Sequence, residues 1–189
     1  MERALPAGTV TFLFTDVEGS TRLLHELGAE AYADALAEHR RIVRAACGAR
    51  GGVEVDTQGD AFFIAFPTAP AALAAAAAAT EELANGPIHV RMGLHSGTPL
   101  LTDEGYVGVD VHRAARIAAA GHGGQILLSS AAHESFTERL AEGIAFRSLG
   151  RYSLHGLAEP EPLFQVNAAG LITKFPRPRT IGPLRSRPG

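Results

Sequence analysis

The sequence predicts an α+β domain built on a mostly antiparallel sheet. Strand-like and helix-like segments alternate along the 189 residues so as to form two βαβ-like units. Between these units lies a hairpin, "VEVDTQGDAFFIAF" at 53–66, in which Val53, Val55 and the run 62–66 flank a Gln58-Gly59 turn. A chain of this length buries roughly two thirds of the surface its unfolded form exposes, so it needs no covalent staple. None is on offer, because Cys47 is the sole cysteine.

The elements follow in order. "TVTFLFTDV" (9–17) is apolar, aromatic and β-branched, which suits a strand, and it runs into the Gly-containing turn "EGST". Leu23, Leu24, Leu27, Tyr32, Leu36, Ile42, Val43 and Ala46 recur at helical spacing and predict one helix over about 21–49, stopped by Gly51-Gly52. After the hairpin, an Ala-rich helix spans 69–84 and closes at "NGP". "IHVRMGLHSG" (88–97) alternates as a strand and is followed by a short strand or loop. "VDVHRAARIAAAG" (109–121) is a helix, "GQILLSS" (124–130) a strand, and "AAHESFTERLAE" a short helix. A final hairpin ends on the strand "LFQVN". Residues 1–168 form one domain in this reading. Residues 169–189 form a Pro/Arg-rich tail or linker, since "LITKFPRPRTIGPLRSRPG" carries four Pro, four Arg and a Lys but no acid.

Composition narrows the function classes. Residues 1–8 are short and polar, which does not read as a signal peptide, and no run approaches the ~20 apolar residues of a membrane span. A cytoplasmic protein is expected. The net charge of −3 argues against nucleic-acid binding by the main body. His89, His95, His112, His122, His133 and His155 lack zinc-ligand spacing. His122 reads as a loop residue, His133 as part of a solvated helix face, and Cys47 as a packed small side chain.

Chemistry concentrates around two carboxylates. Asp16 ends a buried strand beside a glycine turn that opens a helix, where the backbone N–H groups of Gly19, Ser20 and Thr21 suit phosphate oxygens. The plainer reading makes Ser20 or Thr21 an ordinary N-cap. Asp60 lies just past the hairpin turn, and the strand of Asp16 is a natural sheet neighbour. Two carboxylates on adjacent strand ends, beside a phosphate-ready helix start, make a hard-cation site.

"FTDVEGSTRLL", "TQGDAFFIAF", "VRMGLHSG", "HRAARIAAAGHGGQILLS" and "LHGLAEPEPLFQV" resemble, in order and spacing, the signature blocks of the class III nucleotidyl cyclase catalytic domain over about residues 9–166. The resemblance implies a ferredoxin-like βαββαβ core with an extra C-terminal hairpin and a head-to-tail homodimer with composite sites. It also implies conversion of ATP or GTP to the 3′,5′-cyclic monophosphate and pyrophosphate. Asp16 and Asp60 match the metal-binding aspartates, with the Val17 carbonyl between them, for two Mg²⁺ or Mn²⁺ per site. Arg91 matches a phosphate-contacting arginine, and Arg116 the arginine that neutralises charge on the α-phosphorus.

Four positions depart from that pattern. His112 replaces an Asn that orients the ribose. Asp56 stands where an adenine-reading Lys is expected, and Gly105 where that Lys has its partner, with Glu104 and Asp103 just before it. His155 replaces a pyrophosphate-binding Lys. A carboxylate at 56 only accepts hydrogen bonds, which suits the N1–H and N2–H₂ donors of guanine. The alternative is a degenerate cyclase homology domain that binds nucleotide or metal, or dimerises, and regulates a covalently linked domain.

Overall fold

The computed structural model describes residues 4–136 and 140–180. Its elements are β1 (Val10–Val17), α1 (Ser20–Leu27), α2 (Ala29–Gly48), β2 (Val53–Gln58), β3 (Ala61–Phe66), α3 (Ala69–Leu83) and β4 (Val90–Gly97). There follow β5 (Leu100–Thr102), β6 (Gly105–Val107), α4 (Val109–Ala120), β7 (Ile126–Ser129), α5 (Ser130–Glu134), β8 (Ile144–Tyr152) and β9 (Glu161–Ala168). Seven strands form one sheet in the order β2-β3-β1-β4-β7-β9-β8, and β5-β6 make a separate ribbon. All neighbours in the large sheet are antiparallel except β4 and β7, so the expected α+β class with a mostly antiparallel sheet holds. The β4-β1-β3-β2 half is the βαββαβ unit, and β8-β9 is the C-terminal hairpin.

Period-two alternation decides which residues face which layer. From β1, Leu13 and Val17 join Ile42, Val43, Leu73, Ala76, Met92 and Leu94 in the main core between the sheet and helices α2 and α3. Val10 and Phe12 point the other way and meet Phe63, Ala65 and Ala114 of α4. α3 lies close to the sheet because Ala72, Ala75 and Ala76 have no bulk to hold it off; all three are fully buried. On the opposite face Gly93 does the same for α4. A β-carbon there would lie 2.4 Å from the Ala118 amide nitrogen.

Three expectations are corrected. The helix expected over 21–49 is two helices, broken at Gly28, whose φ of 81° is open to glycine but strained for other residues. The apolar spacing runs on from Leu27 to Tyr32 and hides the break. The helix expected in "AAHESFTERLAE" is only α5; part of that stretch, 137–139, lies outside the described residues. His133 is not on a solvated face, because its ring stacks on Phe164 at 3.9 Å. Cys47 is 3% exposed, as a packed side chain should be, and burial pushes its thiol up to about 12. Among the described residues no helix is long and apolar enough to cross a membrane.

The described part of the tail does not leave the domain as a free linker would. Its carbonyls at Thr173 and Arg177 accept hydrogen bonds from Gln165 and His122, and the Arg179 amide donates to Ala120 at 2.8 Å. Pro176 and Pro178 have no N–H to satisfy, which suits a segment that lies along a surface rather than in a sheet.

Candidate active site

β1 and β3 are direct neighbours, which brings the two carboxylates together. Asp16 is the second-last residue of β1, and Asp60 is the second residue of the Gly59-Asp60 turn between β2 and β3, not past a Gln58-Gly59 turn as the sequence suggested. α2 holds that turn in place through Arg40, whose guanidinium donates to the Gly59 carbonyl at 2.8 Å. Burial, followed by the negative charge of Asp16, raises the Asp60 carboxyl above the usual carboxylate range, while Ser20 opposes this by hydrogen bonding to it. The Ser20 hydroxyl also meets Tyr32, so the start of α1 is tied to both the acid pair and α2. Gly19 caps α1 with a φ of 63°, and no side chain caps its N-terminus. The plain N-cap reading of Ser20 or Thr21 fails, because Gly19 holds the N-cap position and both residues lie inside α1.

Asp16 is paired across the sheet with Arg91 on β4. The Arg91 guanidinium is ion-paired to the Asp16 carboxylate and donates to the Ala119 carbonyl at 3.2 Å, near the end of α4. Arg91 thus links the acid pair to α4, and in this state it binds a carboxylate rather than a free anion. Arg116 lies one turn earlier on α4 and is exposed. It shares a cavity of about 300 Å³ with His155, Ala119, Leu154, Arg179 and Thr180.

The structure gathers Asp16, Asp60, Ser20 and Arg91, and places Arg116 with His155 at a cavity that Ala119, the acceptor of Arg91, also lines. No hydrogen bond or ion pair between described residues joins the two sets. His112 is exposed on the first turns of α4. Asp56 is exposed on β2, opposite Phe63, and its carboxylate is occupied locally by the Thr57 amide at 2.8 Å and the Gln58 side chain at 2.9 Å. Gly105 is buried in β6 and offers no side chain; Glu104 and Asp103 are exposed beside it. Beyond Asp16 the open part of this face is aromatic, with Phe14 stacked on Phe63 at 4.4 Å.

Sequence reasoning missed several neighbours. Glu18 accepts from the Gly123 amide at 3.0 Å and pairs with Arg179 at 2.5 Å. Nothing local in "EGST" signals that role, because both partners are more than a hundred residues away. His95 forms a second hidden arrangement, bonded to Ser129 at 2.7 Å and to Asp110 at 2.7 Å. Ser, His and Asp are in line, but the Ser129 hydroxyl is fully buried and accepts from the Ala132 amide as the cap of α5. The string ties α4 to β4 and β7 and presents no nucleophile.

Two carboxylates fit a hard divalent cation, and their mutual repulsion is what such a cation would relieve. Among the described residues no third His, Cys, Asp or Glu joins them in a metal-sized cluster. The protein would contribute few ligands and leave positions for substrate oxygens and water, as Mg²⁺ sites commonly do.

Residues 3–168 match the family model of the adenylate and guanylate cyclase catalytic domain. An uncharacterized protein of Mycobacterium tuberculosis is 40% identical over 182 residues, covering 95% of this chain and 63% of its own length. The chain thus spans less than two thirds of that relative. The receptor-type adenylate cyclase of Trypanosoma equiperdum is 31% identical over 208 residues, covering 84% of this chain and 44% of that protein. Among solved structures, an adenylate cyclase from Trypanosoma brucei in its monomeric state superposes with a TM-score of 0.80 at 26% identity, covering 95% of this chain and 98% of that one. The strand order, the paired aspartates at the ends of β1 and the β2–β3 turn, and the match over residues 3–168 lead to one conclusion: the chain belongs to the adenylate and guanylate cyclase catalytic domain family.

Proposed function

We propose that this chain is a purine nucleotide cyclase domain, converting ATP or GTP to the 3′,5′-cyclic monophosphate and pyrophosphate at a homodimer interface. The observation that carries the reading is the pairing of Asp16 and Asp60 at the uncapped start of α1. Asp16, Asp60 and the Val17 carbonyl would hold two Mg²⁺ or Mn²⁺ ions. When bound, the metals lower the pKa of the ribose 3′-hydroxyl and neutralise the triphosphate. The remaining work falls to the chain itself. The amides of Gly19, Ser20 and Thr21 receive phosphate oxygens. Arg116 places a fixed cation where charge develops on the α-phosphorus, and His155 adds a donor nearby. Arg91 holds Asp16 in place until substrate phosphate competes for its guanidinium. His112 orients the ribose, and Asp56 reads the base.

In the head-to-tail homodimer that the family resemblance implies, Arg116 and His155 of a second copy would complete the site at Asp16 and Asp60. A second reading has its own support. The ion pair between Arg91 and Asp16, the missing side chain at Gly105 and the His at 155 all favour a domain that binds nucleotide without turning it over, serving a linked regulatory module. Each lost polar contact would cost about 1–3 kcal/mol in a desolvated site.

The test is incubation with ATP or GTP and Mn²⁺, chromatography for cyclic product, and Asp60→Ala as the control. Product that depends on Asp60 supports the enzyme; none from either nucleotide at high protein concentration refutes it and leaves the binding domain. Mixing Asp60→Ala with Arg116→Ala chains should partly restore activity, and no recovery in proven mixed dimers would refute the shared site.

A further inference from the structure

The cavity beside Arg116 has a chemistry that the family blocks alone do not account for. Arg116, Arg179, His155 and Thr180 line it together with Ala119 and Leu154, and the acid nearest to these groups is Glu18, which pairs with Arg179. Two arginines brought to one space of about 300 Å³, with a single carboxylate to neutralise them, leave a surplus of positive charge that suits a compact anion. Arg179 lies beyond residue 168, where the family match ends. The strap at 171–180 brings it there, anchored through Gln165 to the Thr173 carbonyl, His122 to the Arg177 carbonyl and the Arg179 amide to Ala120. These anchors use main-chain groups at 173, 177 and 179, and the Arg179 side chain adds its own ion pair with Glu18.

That side chain now pairs with Glu18, but it is 51% exposed and can exchange this partner at little loss. The exchange costs Glu18 little as well, because its other oxygen keeps the Gly123 amide. A bidentate guanidinium offered to phosphate oxygens also replaces, from outside the domain, the cation that His155 fails to supply.

We infer that Arg179 of the C-terminal strap is a condensed-phosphate-binding residue, acting with Arg116 and His155 in this cavity. The cation cavity stands on its own geometry. The identity of the anion, the β- and γ-phosphates of the substrate or the pyrophosphate product, rests on the cyclase reading.

The experiment is calorimetric titration of the 189-residue chain with inorganic pyrophosphate in EDTA, repeated with a 3′-deoxynucleoside triphosphate, which cannot cyclise. Arg179→Ala should weaken both ligands about tenfold, and Arg179→Lys by less, as expected for loss of a charge-assisted contact and of its bidentate form. Arg151→Ala, an exposed arginine outside the cavity, should change neither. Unchanged affinity in Arg179→Ala, equal weakening by Arg151→Ala, or no binding by the wild-type chain at millimolar pyrophosphate would each overturn the inference. Cyclic-product formation is scored separately. A chain that makes product but ignores Arg179 refutes only this inference, and a chain that binds pyrophosphate through Arg179 but makes no product refutes only the cyclase reading.

Discussion

Gly93→Ala tests how the sheet positions the helix that carries His112 and Arg116. Gly93 is fully buried on β4 and lies outside the left-handed region, so backbone strain plays no part in the substitution. The added β-carbon would come within 2.4 Å of the Ala118 nitrogen, 2.8 Å of its α-carbon and 3.0 Å of the Ile117 carbonyl carbon. Ordinary contacts of this kind begin near ~3.5 Å, so α4 must retreat by about 1 Å. The obstacle is helix backbone, and no rotamer change relieves it. Overpacking of this kind costs about 1–3 kcal/mol, which for a domain of this size lowers the melting temperature by roughly 3–10 °C. A shift of about 1 Å in a positioning element can cost about a hundredfold in rate. Thermal unfolding by circular dichroism reads the first effect, and cyclic-product formation reads the second. A melting temperature within about 1 °C of wild type would show that α4 is not seated as closely as described.

Two further predictions follow from buried and exposed polar groups. His39 on α2 is 1% exposed, its ring nitrogens have no hydrogen-bond partner among the described residues, and burial, then Arg40 and Arg44, push it down to about 4. The unfolded chain, with its histidine near about 6.5, takes up this proton first, so stability falls as pH drops from about 6.5 toward 4 and is unaffected above. By pH 5 the loss is about 2 kcal/mol at ~1.4 kcal/mol per unit. Urea midpoints for wild type and His39→Leu should diverge in acid, and parallel curves from pH 7.5 to 5 would refute the assignment. Asp56→Lys changes an exposed group with only local partners, so stability should move by no more than about 0.5 kcal/mol, while turnover on ATP rises relative to GTP. An unchanged ratio would mean that position 56 does not read the base.

Local pattern reveals an element when its own side chains decide it. The hairpin and the Ala-rich α3 were legible because propensity and burial agree there, although the two-residue turn is Gly59-Asp60 rather than Gln58-Gly59, and β4, expected to alternate, is buried on both faces from Met92 to Ser96. Gly28 was not: the apolar stripe continues past it, and only the observed φ shows the break. His133 was misplaced for a related reason. Its partner Phe164 arrives from a strand thirty residues later, and sequence spacing gives no hint of that stacking.

For the site, the sequence by itself determined the chemistry on offer: two aspartates at strand ends, a glycine turn opening a helix, and arginines in matching blocks. Those follow from residue types at fixed spacing. Only the tertiary structure decided which groups meet. The β3-β1-β4 order brings Asp60 to Asp16 and Asp16 to Arg91, because strand neighbours are set by sheet topology and not by chain distance. The same holds for the tail. Its composition reads as a linker, yet the carbonyls of Thr173 and Arg177 find donors on Gln165 and His122, and Arg179 lines the same cavity as Arg116. Long-range hydrogen bonding, which no local pattern encodes, is the physical reason.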